Sequence, residues 1–441
     1  VSFKQGSGID ISDTTAISGT VLQGYYFYTS DGTKTEGSVK INNASDITVV
    51  GTQTYQSGYY PTQWTVSGLD TSDANATAKN IENGKTAYVN GVKIVGTANI
   101  KHEVIKYTDY VENLSQQRSW TVATTIIGNY ALFGGGIQNT DSGNTYCDTV
   151  DAYDTSLSRS TPTVLSVARD ELAATSIGDY ALFGGGRDRF ADCKNIIDAY
   201  NTSLIRSTPT ALSVARRALA ATSIGNYALF AGGVSNNGHN VSTVDAYYTS
   251  LSRSTPTALS TTKDQMGATS IGDYAIFAGG NVNTYSDIVN AYNTSLTRSI
   301  PTELSVKIDS IAATSIESYY ALFGGGSKAS GSSDIVNAYD TSLIRSIPIG
   351  LSLDRKFLAA TSIGDYALFA GGMNYASANY AIDIVDIYDA SLIRLTPKTL
   401  SIGRSNLAAT SIGEYALFAA GFTYTNSVRA NYDTVDVFTL T

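Results

Sequence analysis

A short motif, Tyr-Ala-(Leu/Ile)-Phe running into small residues and glycine, occurs seven times in the 441 residues, and no other feature restricts the fold so strongly. Its tyrosines are Tyr130, Tyr180, Tyr227, Tyr274, Tyr320, Tyr366 and Tyr415, spaced 50, 47, 47, 46, 46 and 49 residues apart. Three further markers keep the same step. A tyrosine 18 to 23 residues later (Tyr153, Tyr200, Tyr247, Tyr292, Tyr339, Tyr388) becomes Phe438 in the last copy. Ser-Leu-x-Arg ends at Arg159, Arg206, Arg253, Arg298, Arg345 and Arg394, and a proline follows at 162, 209, 256, 301, 348 and 397. Tandem copies at this period are one supersecondary unit stacked on itself, because a single unit cannot cover its own apolar face.

Each copy reads as four short strands. In the second, Leu172–Ile177 is small and β-compatible, and Gly178-Asp179 turns the chain. Tyr180–Phe183 is an alternating apolar strand that is expected to stop at Gly184-Gly185-Gly186. Ile196–Tyr200 is a third strand, Asn201-Thr-Ser-Leu204 supplies turn chemistry, and Ile205–Leu212 is a fourth, with Pro209 tolerable on an outer edge. Nothing in the unit holds a helical period. The expectation is an all-β fold in which each buried Phe of a second strand contributes roughly 1.5–3 kcal/mol.

Four strands in under 50 residues fit a β-propeller blade. The diglycines Gly135-Gly136, Gly185-Gly186, Gly232-Gly233, Gly279-Gly280, Gly325-Gly326 and Gly371-Gly372, the third-strand Tyr and the basic residue ahead of each first strand resemble kelch repeats over residues 102–441. The last copy departs with Ala420-Gly421, and the tryptophan usual on a kelch fourth strand is absent. The resemblance implies a seven-bladed propeller. The last copy ends after its third strand, and Leu114–Arg118 aligns with Leu165–Arg169, so about Val104 to Asn113 is expected to supply the missing fourth strand and close the ring. Closure removes unpaired edges.

Residues 1–100 lack this period and form a separate β-rich module ahead of the propeller, which takes 101–441. Ser12-Asp-Thr-Thr-Ala-Ile and Ser72-Asp-Ala-Asn-Ala-Thr each read as a capped short helix. Asp31-Gly32 and Asn90-Gly91 then read as two-residue hairpin loops. The strings Gly84-Lys-Thr-Ala-Tyr and Asn90-Gly-Val-Lys-Ile-Val-Gly-Thr resemble small repeats in tail and baseplate proteins of phages that infect Gram-positive bacteria. That resemblance implies an attachment module that joins a tail to a distal binding domain.

Composition narrows the function. The net charge of −9 argues against a whole-chain nucleic-acid partner, and no apolar run approaches a membrane span. Val1-Ser2-Phe3-Lys4-Gln5 is not a signal peptide, and without an initiator Met the chain reads as processed or as part of something longer. Two His, His102 and His239, and two Cys, Cys147 and Cys193, leave no catalytic triad or metal cluster to propose, so no cofactor and no resident metal are expected. The paired His of kelch-type copper oxidases and the Asp-boxes of sialidase propellers are both missing.

The copies differ from one another unevenly. The turns between first and second strands and between third and fourth strands barely change. The stretches after the glycines and the connections between copies change in length and character, as at Asp170-Glu171, Arg217-Ala218, Asp264-Gln265, Lys356-Phe357 and Ser405-Asn406. In an up-down blade those two sets share one end, so diversity gathers on one rim, where a binding surface would sit. Tyr146, Phe190, His239, Tyr285, Tyr375, Tyr380, Phe422 and Tyr424 stand there beside Asn and Asp, a mixture that suits sugar rings; the competing reading has them packing between loops.

Arg118, Arg169, Arg216, Lys263, Arg355 and Arg404 occupy one repeat position, with Ile308 in the fifth copy. Pointing inward, they would form an anion-binding ring for a polyanion such as a teichoic acid; pointing at carbonyls, they would be structural. Cys147 and Cys193 are expected to be free thiols. Asp141, Asn144 and Asp148 offer a weak calcium option.

The function expected is a non-enzymatic receptor-binding protein of a phage tail or tail-like bacteriocin, a virion component with residues 1–100 toward a tail or baseplate partner. Its ligand would be a bacterial surface glycan or surface protein, and several copies, or a homo-oligomer, would supply avidity. The alternative is a bacterial surface adhesin or protein-interaction scaffold on the same fold.

Overall fold

A computed structural model describes residues 111–441 apart from 121, 141–142, 317–318, 375–379, 396–397, 426–427 and 441, and of the first 110 residues it describes 21, 26–28, 33–36, 74–78, 81, 85–89, 92–96 and 104–106. The chain divides into two units, Val1–Val104 with Thr441, and Ile105–Leu440. The fold is all-β and is built of antiparallel four-stranded sheets.

In the larger unit each repeat contributes one sheet with its strands in chain order. The second repeat has Asp170–Ile177, Tyr180–Arg187, Ile197–Asn201 and Arg206–Ser207. In the last repeat the third strand is Val435–Leu440, and the fourth place is taken by Val104–Lys106 from ahead of the repeats.

Two strand limits differ from expectation. The second strand of this repeat runs through its glycines to Arg187, because Asp170 pairs with Arg187 across them. The fourth strand is two residues, not eight: only Arg206 and Ser207 pair with the third strand, and Pro209, which has no N–H to donate, lies beyond them.

The glycines are dictated by what lies beside them. Gly185 has φ +69°, and a Cβ there would sit 2.6 Å from the Arg216 carbonyl oxygen at the start of the next repeat. Backbone of consecutive repeats therefore approaches too closely for any side chain.

The core lies between sheets. Phe183 meets Tyr200 edge-on, with centroids 5.8 Å apart and planes at 85°. The same second-strand and third-strand pair recurs in the other repeats, ending with Phe418 and Phe438. Each apolar cluster draws on two repeats: Leu132 and Val150 of the first join Phe183 and Tyr200 of the second. Phe133 and Tyr153 of the first share a cluster with Leu417 and Val437 of the seventh.

The buried tyrosines also latch repeats polar-to-polar. Tyr200 Oη donates to the Thr163 carbonyl (2.7 Å), Tyr247 to Thr210 (2.8 Å) and Tyr292 to Thr257 (2.8 Å). Tyr153, in the first repeat, donates to the Glu112 carbonyl (2.8 Å), so the segment before the repeats plays the part of a preceding one. Burial pushes these phenol pKa values far up, keeping them donors at any ordinary pH.

Among its described residues the smaller unit has one sheet, ordered Lys34–Glu36, Tyr26–Tyr28, Thr86–Val89, Val92–Val95. Val89 faces Val92 across two strands, and the expected Asn90-Gly91 loop itself lies outside the described residues. Tyr28 faces Lys34, and the expected Asp31-Gly32 loop lies outside the described residues. The expected helix at Ser72–Thr77 is not helical over its described part, Ala74–Thr77. Ala74 and Ala76 are buried on either side of exposed Asn75, whose Oδ1 accepts the Tyr26 N–H at 3.1 Å. That alternation is an extended chain laid on Phe27 and Ile81 rather than a helical face. The first expected helix, Ser12–Ile17, lies outside the described residues.

Candidate functional site

The two ends of the repeat sheets are built differently. At one end the turns hold each other. Asn201 Oδ1 accepts the N–H groups of Ser203 and Ile205 at 3.0 Å each, setting Leu204 at φ 60°. Asp154, Asn293, Asp340 and Asp389 do the same in their repeats. A Cβ on Gly178, in a first-to-second turn, would lie 3.2 Å from Thr249 in the next repeat's third-to-fourth turn. This end is uniform because its turns pack on one another.

The repeated cations are also built in. Arg118, Arg169, Arg216, Lys263, Arg355 and Arg404 are fully buried. Arg169 pairs with Asp198 at 2.8 Å and donates to the Phe183 carbonyl at 3.1 Å; Arg216–Asp245 (2.9 Å), Arg355–Asp386 (2.8 Å) and Arg404–Asp436 (2.8 Å) repeat the pattern. The structure therefore places these side chains inside the sheets rather than in an exposed inward ring: the five Arg are each paired with an Asp of their own sheet, and Lys263 is buried against a backbone carbonyl.

The third-strand partner changes with the cation. It is Asp opposite every Arg, but Asn290 opposite Lys263 and Asn337 opposite Ile308. An acceptor is kept in all cases because it also takes a loop N–H, as Asp198 does from Ser166 (3.2 Å) and Asn290 from Ser260 (2.9 Å). Lys263 Nζ donates to the Ile288 carbonyl (2.8 Å), and burial pushes its pKa down to about 7. The Ser-Leu-x-Arg arginines follow suit. Arg206 and Arg253 reach Asp198 and Asp245, while Arg298, facing an uncharged Asn, turns to the Ala258 carbonyl (2.6 Å).

At the other end lie the loops after the glycines and the connections between repeats. One residue of each connection, Trp120, Glu171, Ala218, Gln265, Ser310, Phe357 and Asn406, is held at φ between 50 and 56°. For non-glycine residues that backbone costs on the order of 1 kcal/mol each. Hydrogen bonds from repeat to repeat hold it: Ala218 N–H to Glu171 O (2.9 Å), Gln265 to Ala218 (3.2 Å), Ser310 to Gln265 (3.0 Å) and Asn406 to Phe357 (2.9 Å). A constant backbone thus presents seven dissimilar side chains.

Just before these residues sit buried carboxylates. Asp170, paired with Arg187 at 3.1 Å, and Asp264, accepting from Asn240 at 3.2 Å, are both pushed up to about 6 by burial. Burial also raises Asp309.

The structure brings some of the expected aromatics together and not others. Tyr146 and Phe190 line one cleft of about 460 Å³ between the loops of the first and second repeats, with Asn144, Thr145, Asp188 and Arg189. Tyr285 lines a second, of about 440 Å³, between the fourth and fifth repeats, with Asn283, Thr284 and Lys307. Phe190 is 68% exposed; His239, Tyr380 and Tyr424 are exposed, and none of these three lines either cleft. Tyr375 lies outside the described residues. Phe422, expected on the rim, is buried: it stacks on Trp120 (6.4 Å, 7°) and meets Tyr424 edge-on at 5.4 Å, with the Arg429 guanidinium 4.2 Å from its ring. Sequence reading missed Trp120 and Arg429; the signal was an aromatic in a connection where only one other repeat, at Phe357, carries one.

Cys147 and Cys193 are free and buried, and burial raises both thiols, so neither is poised to react. Among the described residues no three His, Cys, Asp or Glu side chains gather as a metal would need; Asp141 of the calcium option lies outside them. Among them, too, no helix is long and apolar enough to cross a membrane. No protein-family model matches this chain, and no curated protein matches it.

Proposed function

We propose that the repeat unit is a closed, seven-bladed, kelch-like propeller, and that the chain is a non-enzymatic receptor-binding protein of a phage tail or tail-like particle. The variable rim takes a host surface glycan, and the N-terminal unit faces the particle. Closure is supported by the core shared between first and seventh repeats and by Val104–Lys106 standing as the fourth strand of the last sheet. The observation that carries the functional reading is the contrast between ends. One end is locked by turn-on-turn packing, while the other holds varied side chains on a fixed backbone and two clefts lined by tyrosine, amide and hydroxyl groups. Such clefts match a sugar's apolar ring faces and hydroxyl edges.

The test is adsorption of the purified chain to host cells before and after enzymatic removal of surface polysaccharide. Adsorption lost with the polysaccharide is the expected result; adsorption that persists contradicts the glycan reading. The adhesin or scaffold reading draws on a different feature, the exposed Ile344, Ile347 and Ile349 beside the fourth strand of the fifth repeat, which suit a protein surface.

A further inference from the structure

The two clefts share one tripeptide at one repeat position, while their cations come from different positions, Arg189 from a loop after the glycines and Lys307 from the residue before Ile308. The tripeptide Asn144-Thr145-Tyr146 recurs as Asn283-Thr284-Tyr285, in loops that otherwise share neither length nor sequence. The register is the same in both. Tyr146 pairs with Ile137, and Tyr285 with Asn281, each the first residue after its diglycine. The next residues, Cys147 and Ser286, are both buried, and their carbonyls accept the N–H of Arg169 (3.1 Å) and of Ile308 (2.9 Å) at one repeat position. In each tripeptide Asn and Thr are exposed and Tyr is half-buried. The other five repeats carry Cys193, Asn240, Ser332, Ala381 and Asn431 where these tyrosines stand.

Each cleft also holds a cation. In the first it is Arg189, whose guanidinium lies 4.6 Å from the Phe190 ring centre; in the second it is Lys307. Neither has a carboxylate partner among the described residues. The one acid in either lining, Asp188, is neutralised by Lys194 at 2.7 Å. Two clefts of nearly equal size, each with a tyrosine face, an amide, a hydroxyl and a single positive charge, have matching ligand chemistry. Rim loops that vary freely would not carry one three-residue string at one structural position in two repeats.

We infer that the first-to-second and fourth-to-fifth repeat clefts are twin subsites for sugar units that each carry one negative charge, occupied together by a single charged polysaccharide. Tyr146 and Tyr285 stack on the ring, Asn144 and Asn283 read its hydroxyls, and Arg189 and Lys307 take the carboxylate or phosphate. Short fragments bind each subsite weakly, and a polymer spanning both gains by effective concentration, on the order of 10²–10⁴-fold. This inference rests on the glycan reading of the rim.

Isothermal titration of the full chain with trigalacturonate, mannose 6-phosphate and neutral maltotriose tests it, the first two separating carboxylate from phosphate. The expected result is two sites per chain for one of the charged sugars and at least tenfold weaker binding of maltotriose. Tyr146→Ala or Tyr285→Ala alone leaves one site, and the double variant leaves none at an unchanged melting temperature. Arg189→Gln with Lys307→Gln removes the preference for charge. Failure of both charged sugars to bind, a stoichiometry other than two, two sites surviving the double tyrosine variant, or no preference over maltotriose overturns the inference. Cell adsorption separates it from the reading beneath. Adsorption that needs the rim loops but survives the double tyrosine variant overturns the twin subsites alone, whereas adsorption indifferent to every rim loop overturns the rim reading itself.

Discussion

The two ends of the repeat sheets answer to different constraints: one carries short turns such as 178–179 and 202–205, the other longer loops and connections such as 188–196 and 208–219. At the constant end, Asn201 and its counterparts satisfy two N–H groups each, and Gly178 lies against the neighbouring turn, so most substitutions there disturb two repeats at once. At the variable end the backbone is held by repeat-to-repeat hydrogen bonds through residues such as Ala218 and Gln265, while the side chains it carries differ from repeat to repeat. Sequence constancy along this chain therefore marks packing, and variety marks the surface available for recognition.

That contrast is open to direct attack. The largest effect is expected inside the sheets. Arg169→Met removes one of the two cations on buried Asp198, leaving only Arg206, and should cost about 3 kcal/mol in urea unfolding, the low end for a broken buried pair; a loss under 1 kcal/mol would mean the pair is not structural. Gly185→Ala forces a Cβ against the Arg216 carbonyl at a left-handed φ and should cost about 1–3 kcal/mol by the same measurement.

A gain comes next. Lys263→Arg with Asn290→Asp gives the fourth repeat the pair found in five others and replaces a buried amine whose pKa is pushed down to about 7. The double variant should be more stable by roughly 0.5–2 kcal/mol, while either single change should be destabilising.

The variable end predicts a pH effect. Burial raises Asp170 and Asp264 to about 6, so the folded chain holds these protons more tightly than the unfolded chain, whose carboxylates titrate near 4. Stability from this source is complete below about pH 4 and is lost as pH rises through 6. Unfolding midpoints should therefore fall between pH 5 and 7, and Asp170→Asn with Asp264→Asn should flatten that fall. The smallest change in stability, within about 0.5 kcal/mol, is expected for Phe190→Ser on the exposed loop.

The repeat step, the four strands per copy and the residues of the core were legible because Tyr180, Phe183 and Tyr200 sit in short apolar, β-compatible runs that recur at nearly constant spacing between copies. The fourth strands were overread: β-compatible residues from Ile205 to Leu212 were counted although only two of them pair. The short helix at Ser72–Thr77 was misjudged because its capping residues are equally at home in an extended segment when Asn75 finds Tyr26. The buried cations were legible as a repeat position but not as pairs; the clue lay in the third strand, where Asp gives way to Asn in just the two repeats that lack Arg. Trp120 and Phe422 were not legible as partners, since 302 residues separate them and only the packing of the first repeat on the seventh stacks them.

The central claim is that binding belongs to the variable end alone. Its most direct measurement replaces the loops that follow the glycines with Gly-Ser segments of equal length, then follows thermal unfolding and host-cell adsorption on the same protein. The account predicts a melting temperature within a few degrees of the parent and adsorption reduced to background. Adsorption at the parental level by that folded variant would contradict it.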